Sequence, residues 1–196
     1  MVTVMPASPV EIMDRRYTRA DLEAMPDDGR RYELIDGVLI VSAAPGRLHQ
    51  RAVFSLARVL CAACPPEFEV LIAPFAVGLA VDTELQLDVV VGRLADLTDR
   101  DLPAPPVLAV EVLSHSTKLI DLNVKKERLR RAGTPAYWVV DPAARPAEAR
   151  LIAWQLASDG EFRQVAEVIG ETEFAAQVPF PVRVSPAGLV RWPPVA

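Results

Sequence analysis

The chain has 196 residues, 51% of them hydrophobic, and a net charge of −5. That is enough apolar material for the core of one domain, and no run of ~18 apolar residues exists to cross a membrane as a helix. The first residues lack the basic start and long apolar stretch of a secretory leader, so a cytoplasmic protein with no membrane partner is the expectation.

Residues 1–15 contain Pro6 and Pro9 and show no sustained period, which predicts a flexible tail. Thr18 is placed to cap a short helix from Arg19 to Met25. Arg31 to Ile35 and Val38 to Val41 flank Asp36-Gly37, the pattern of a tight hairpin. Leu48 to Cys64 has helical spacing, with Ala52, Val53, Leu56, Leu60, Ala63 and His49 on one stripe. Strands are expected at Glu69 to Ala73, Ala76 to Val81, Leu85 to Val91 and Val107 to Leu113. Ser114, His115, Ser116 and Thr117 offer caps for a helix reaching Arg131, which Gly133 and Pro135 stop. Ala136 to Val140 is a further buried strand. Arg150 to Leu156 and Phe162 to Ile169 form a second hairpin about Ser158-Asp159-Gly160, and the proline-rich end is expected as an irregular wrap.

Cys61 and Cys64 are the two cysteines. A structural zinc site needs about four ligands, and no second pair accompanies them. They read as small apolar residues on a core helix. Charge is unevenly spread: Pro45 to Arg58 carries Arg47, Arg51 and Arg58 with no acid, and His115 to Arg131 is also basic. A polyanion could dock there, with Arg47, Arg51, Lys118 and Lys126 as its contacts, although solvated helix faces give the same pattern.

The most informative residues are Asp88 and Glu111, each alone inside an apolar run. An ionised carboxylate in a buried strand is costly unless paired, hydrogen-bonded or bound to metal. Two on successive strands suggest a divalent cation, and oxygen-only ligands suit Mg²⁺ or Mn²⁺. The competing explanation is a carboxylate satisfied by an arginine or by backbone N–H groups. Lys125 reaches the same depth: Glu111 lies ~7–10 Å before its strand ends, and Lys125 lies ~12 Å into the returning helix. It could hold the attacking water or neutralise a phosphate, or simply pair with Asp121 at i,i+4. His49 opens its helix beside two arginines; a satisfied core histidine is the plainer reading. Glu33 lies beside Arg31 before the turn; an exposed hairpin carboxylate is the commoner explanation. His115 follows the Glu111 strand without independent support.

Tyr32 to Gly37, His49-Gln50-Arg51, Gln86-Leu87-Asp88, Val110 to Thr117, Asp121, Lys125 and Ala132 to Pro142 form an ordered set. It resembles the small stand-alone bacterial proteins grouped as restriction-endonuclease-like, a branch of the PD-(D/E)XK nuclease superfamily. The resemblance implies an α/β (α+β) fold over residues 16–196 as one domain: a restriction-endonuclease-like core, a central mixed β-sheet flanked by helices, and extra β-hairpins. It also implies phosphodiester hydrolysis of DNA by a water activated on Mg²⁺ or Mn²⁺. Asp88, Glu111 and the backbone carbonyl of Val112 would be the metal ligands, Lys125 the superfamily's lysine moved to the next helix, and Glu33 and His49 polar residues of the same pocket. The sequence departs from the superfamily pattern at Leu87, where proline is usual, and at Leu113, where lysine is usual. A catalytically silent nucleic-acid-binding or regulatory module and a phosphoesterase acting on RNA or nucleotides remain open. So does a homodimer, since a chain of this size covers little duplex.

Overall fold

The computed structural model describes residues 16–26, 28–42, 44–114 and 118–192. The tail expected over residues 1–15 and the cap candidates His115, Ser116 and Thr117 lie outside these residues. Helix α1 (Arg19–Leu22) begins where the Asp21 carboxylate accepts hydrogen bonds from the Thr18 N–H and hydroxyl, both at 2.8 Å. It stops short of Met25, because a single turn that buries no residue has no packing to extend it. Strands β1 (Arg31–Ile35) and β2 (Val38–Ser42) pair from Ile35 against Val38. Asp36 and Gly37 turn the chain at φ 51° and 78°, the left-handed pair that matches the twist of a two-residue hairpin.

Helix α2 (Arg47–Ala63) buries Ala52, Val53, Leu56 and Leu60, the stripe expected from spacing. Cys61 is exposed, which corrects its expected place in the core; Cys64 ends the helix, half-buried, with its thiol donating to the Phe68 carbonyl at 3.5 Å. Strands β3 (Phe68–Ile72), β4 (Ala76–Ala80), β5 (Thr83–Leu85), β6 (Val89–Arg93), β7 (Asp101–Leu102) and β8 (Leu108–Val112) follow. A helical stretch then leads through a π-helical segment, Ile120–Lys125, into α3 (Lys126–Ala132). Gly133 closes it at φ 84°, as its position requires. Strands β9 (Ala136–Asp141), β10 (Arg150–Leu156) and β11 (Phe162–Ile169) complete the main sheet.

That sheet has the order β11-β10-β9-β8-β6-β3 and is mixed, because β8 and β9 run parallel while the other pairs are antiparallel. A parallel neighbour demands a crossover, and α3 with its π-helical lead supplies it. A second sheet has the order β2-β1-β5-β4-β7. The run Leu85 to Val91 is therefore not one strand. Leu85 ends β5 in the second sheet and Val89 opens β6 in the first, with Gln86, Leu87 and Asp88 carrying the chain between them. An apolar run reports burial and is silent about which sheet each half joins.

Alternation divides the interior in two. Val89, Val91, Leu108, Val110, Val112, Trp138 and Val140 face α2. Val90, Ala109, Leu113, Tyr137 and Val139 face Leu129 of α3 and Ile35, Val77 and Leu85 of the second sheet. The proline-rich end is not an irregular wrap. It forms a hairpin, β12 (Phe174–Ala176) with β13 (Val182–Val184), and helix α4 (Pro186–Val190), whose apolar residues join the core under α2. Proline reads as a breaker, yet Pro186 opens α4, where its missing N–H costs nothing. Among the described residues no helix is long and apolar enough to cross a membrane.

Candidate active site

Antiparallel pairing sets Val89 against Val110. Asp88 precedes Val89 and Glu111 follows Val110, so the two acids lie at the same end of this strand pair. Both side chains are buried, as are Glu33, Asp121 and Lys125. Asp88 stands at the threshold of β6 instead of inside a strand, so its carboxylate turns back toward the end of β8. There its Oδ2 accepts the Val112 N–H at 2.8 Å. In an extended strand the N–H and C=O of one residue leave on the same side, so the Val112 carbonyl shares that side with the Asp88 carboxylate.

Three elements bring the other charges to this point. Helix α2 delivers His49, whose Nε2 lies 3.1 Å from Asp88 Oδ2. Since an ionised carboxylate only accepts, Nε2 carries the proton of that bond; Nδ1 is buried without a partner among the described residues. Strand β1 delivers Arg31 and Glu33, which share a face at i,i+2. Arg31 Nη1 donates to Asp88 Oδ1 at 3.0 Å, and Nη2 lies 3.5 Å from Glu33 Oε2. Glu33 Oε1 accepts the Gln86 N–H at 2.9 Å. The π-helical segment delivers Lys125, whose Nζ lies 2.8 Å from both Glu33 Oε1 and Glu111 Oε1 and 3.6 Å from Asp121 Oδ1. The Tyr137 hydroxyl donates to the Asp121 carbonyl at 2.8 Å, which ties that segment to the sheet. Such π turns recur at functional sites.

Burial alone would raise the Asp88 carboxyl, but the His49 bond, Arg31 and the Val112 N–H outweigh it and hold it well below the usual range. Glu111 goes the other way. Its complete burial pushes it up, and the surrounding carboxylates limit what Lys125 can offset. Burial works against the Lys125 ammonium too, yet Glu111, Glu33 and Asp121 together keep it firmly charged. Four buried carboxylates face two fixed cations, Lys125 and Arg31, so the cluster carries surplus negative charge. A buried surplus calls for a proton or a further cation.

The residues fit a hard divalent cation on two observations. The donors facing the Asp88–Glu111 gap are oxygens, which suits Mg²⁺ or Mn²⁺. Glu111 Oε2 is buried with no hydrogen-bond partner among the described residues. No three His, Cys, Asp or Glu side chains gather in metal-holding geometry among those residues. A set of two carboxylates and a carbonyl would suit an ion that keeps several of its waters.

The structure brings Asp88, Glu111, Lys125, Glu33 and His49 together. Glu33 is only 1% exposed, which corrects its reading as an exposed hairpin carboxylate; its shared face with buried Ile35 was the available signal. The i,i+4 pair of Asp121 with Lys125 exists, but inside the protein and not on a solvated face. Arg31 and Tyr137 are the members that sequence reasoning passed over. Arg31 was visible only as a cation two residues from Glu33 on one strand face, and nothing in the sequence marked Tyr137.

Three of the four basic candidates are held by partners within the protein. Arg47 is exposed at the start of α2. Arg51 is instead committed to structure: it donates to the Val190 carbonyl at 3.0 Å and covers the Trp192 ring. Lys118 pairs with Asp141 at 3.1 Å, and Lys126 sits 4.7 Å over the Trp154 ring. A concavity of about 580 Å³, lined by Arg19, Tyr32, Glu84 and Gln86 among others, opens on the other face of β1 and includes none of the buried charges.

A central mixed sheet flanked by helices, with charged side chains converging at one end of two neighbouring strands, defines a nuclease-like fold. The chain belongs to the Uma2 family, described as "Putative restriction endonuclease", whose sequence profile matches residues 19–182. It is also similar to a crystal structure described as "a putative nuclease belonging to DUF820" from Anabaena variabilis ATCC 29413. That likeness has a TM-score of 0.67 at 16% identity, over 89% of this chain and 97% of the other, and it speaks to the fold. No curated protein matches the chain.

Proposed function

We propose that this protein is a divalent-metal-dependent endodeoxyribonuclease of the cytoplasm. The observation that carries the reading is the burial of Asp88 and Glu111 at the ends of neighbouring strands, with Asp88 bonded to the N–H of the residue after Glu111 and a Glu111 oxygen that has no hydrogen-bond partner among the described residues. Family membership supports the reaction class. Asp88, Glu111 and the Val112 carbonyl would hold Mg²⁺ or Mn²⁺, which when bound lowers the pKa of a water and polarises a phosphoryl oxygen.

The remaining residues act on that pair. His49 and the Val112 N–H fix Asp88 Oδ2 and keep the carboxylate ionised. Lys125 clamps Glu111 and Glu33 through Oε1 of each, which leaves Glu111 Oε2 free to face the ion. The Gln86 N–H and Lys125 pin Glu33 close by, where a carboxylate can orient a water.

Calorimetry with Mn²⁺ and a plasmid-nicking assay test this directly. The wild-type protein is expected to bind Mn²⁺ and to cut DNA, and Asp88→Ala is expected to abolish both. Cleavage that persists in Asp88→Ala and in Glu111→Ala would place the activity elsewhere. Failure to bind Mn²⁺ at all would favour a catalytically silent module, and cleavage of RNA but not DNA a different substrate.

A further inference from the structure

We infer that Arg31, and not Lys125, is the cation of this cluster that meets the substrate phosphate, and that in the free protein it is parked on the metal-binding carboxylate Asp88. The inference deepens the metal-dependent nuclease reading and rests on it.

Lys125 is closed off from an incoming group by its burial and its carboxylate neighbours. An ammonium carries three N–H donors, and three carboxylates surround this one: Glu33 and Glu111 at 2.8 Å and Asp121 at 3.6 Å. Its side chain is 1% exposed, so a phosphate could reach it only by displacing those partners. Arg31 differs on each count. Its side chain is 20% exposed, the most of any cation in the cluster among the described residues, while its partner Asp88 is 4% exposed. A guanidinium carries five N–H donors. Here Nη1 serves Asp88 at 3.0 Å, Nη2 makes only a long contact of 3.5 Å to Glu33, and Nε is buried with no partner among the described residues. A half-used planar fork at the mouth of a buried acidic site is matched to two oxygens of a phosphate.

The parking contact gives the step its direction. Arg31 neutralises Asp88 Oδ1 in the free protein. A divalent cation on that carboxylate would take over the neutralisation and repel the guanidinium. Arg31 then needs another anion within reach, and the phosphate of a bound strand is one. Metal and Arg31 therefore compete for Asp88, while metal and DNA cooperate through Arg31.

The competition and the cooperation have separate readouts. Full-length Arg31→Gln is compared with wild type by Mn²⁺ calorimetry without DNA, and by fluorescence anisotropy with a labelled duplex in Ca²⁺ across a salt series. Loss of one phosphate contact should weaken duplex binding about tenfold and reduce the slope of log affinity against log salt by about one. Mn²⁺ binding should be tighter, because the competitor for Asp88 is gone, and an affinity equal to or below that of wild type overturns the competition. A salt slope equal to that of wild type overturns the inference, whatever happens to cleavage.

Should Arg31→Gln fail to fold, Arg31→Lys decides. It keeps the charge and loses the fork, so it should keep the slope and still bind the duplex severalfold more weakly. Wild-type affinity in Arg31→Lys overturns the role of the fork. A wild-type protein that binds neither Mn²⁺ nor the duplex sinks the nuclease reading and this inference together. A wild-type protein that binds both, with an unchanged slope in Arg31→Gln, sinks this inference alone.

Discussion

The two faces of the six-stranded sheet obey different rules. The face under α2 is filled by hydrocarbon: the α2 stripe, alternate residues of β6, β8 and β9, and the C-terminal hairpin and helix. The face under α3 sets Glu111 in line with Ala109 and Leu113 and gathers Asp88, Glu33, Asp121 and Lys125 beside it. Burying apolar surface stabilises a fold by roughly 25 cal/mol per Å². Burying paired charges is often no better than neutral against well-packed hydrocarbon. The face under α2 is therefore apolar throughout, while the face under α3 combines an apolar cluster of its own with a charged site that adds little to stability. That division is what function needs, because the site can be rigid without being the source of the rigidity.

The comparison is tested hardest by removing the cation at its centre. Lys125→Met leaves Glu33, Glu111 and Asp121 packed together without the ammonium that joins them. Breaking a buried ion pair from one side costs about 3–5 kcal/mol, and urea denaturation should show a loss of that size. A loss below about 1 kcal/mol would mean that the carboxylates find other compensation, and that the charged face is less of a burden than its composition suggests. On the opposite face, Leu60→Ala removes a fully buried side chain from the α2 stripe. It should cost about 2–5 kcal/mol through lost burial and a cavity, yet leave the Mn²⁺ affinity of the folded protein at the wild-type value. A Leu60→Ala protein that folds but loses metal would break the division, because the hydrocarbon face would then be shaping the site.

The same contrast explains what the sequence disclosed. Asp88 and Glu111 were legible because a lone acid in an apolar run has few harmless explanations. The α2 stripe and both hairpins were legible because period and turn chemistry are local. Glu33 was ambiguous because a carboxylate next to a turn is ordinarily solvated, and only the packing of the Gln86 crossing and the Lys125 segment against β1 buries it. Arg31 was passed over for a similar reason: its partner Asp88 lies 57 residues away, in a segment whose crossing between sheets no periodicity reveals. The π-helical turn that aims Lys125 and Asp121 at the sheet leaves no mark in composition. Arg51, Lys118 and Lys126 showed their charge in the sequence but not the carbonyl, carboxylate and ring that engage them. Patterns decided by neighbours in the chain were readable, and those decided by tertiary partners were not.

The smallest effect belongs to charges outside both interiors. Glu127 accepts from Arg130 at 2.8 and 2.9 Å and from Arg131 at 2.6 Å on the surface of α3. Those hydrogen bonds, first from Arg130 and then from Arg131, hold its carboxyl down at about 2. A carboxyl lowered in the folded state favours folding above its unfolded value and loses that contribution as pH falls through the folded one. Glu127→Gln should therefore lower the melting temperature slightly at neutral pH, with the difference from wild type closing as the pH approaches 2. The pair is solvated and screened, so the shift should be barely resolvable and should shrink further in salt. A large, salt-resistant loss would show that surface pairs on α3 carry stability that the comparison assigns to the face beneath α2.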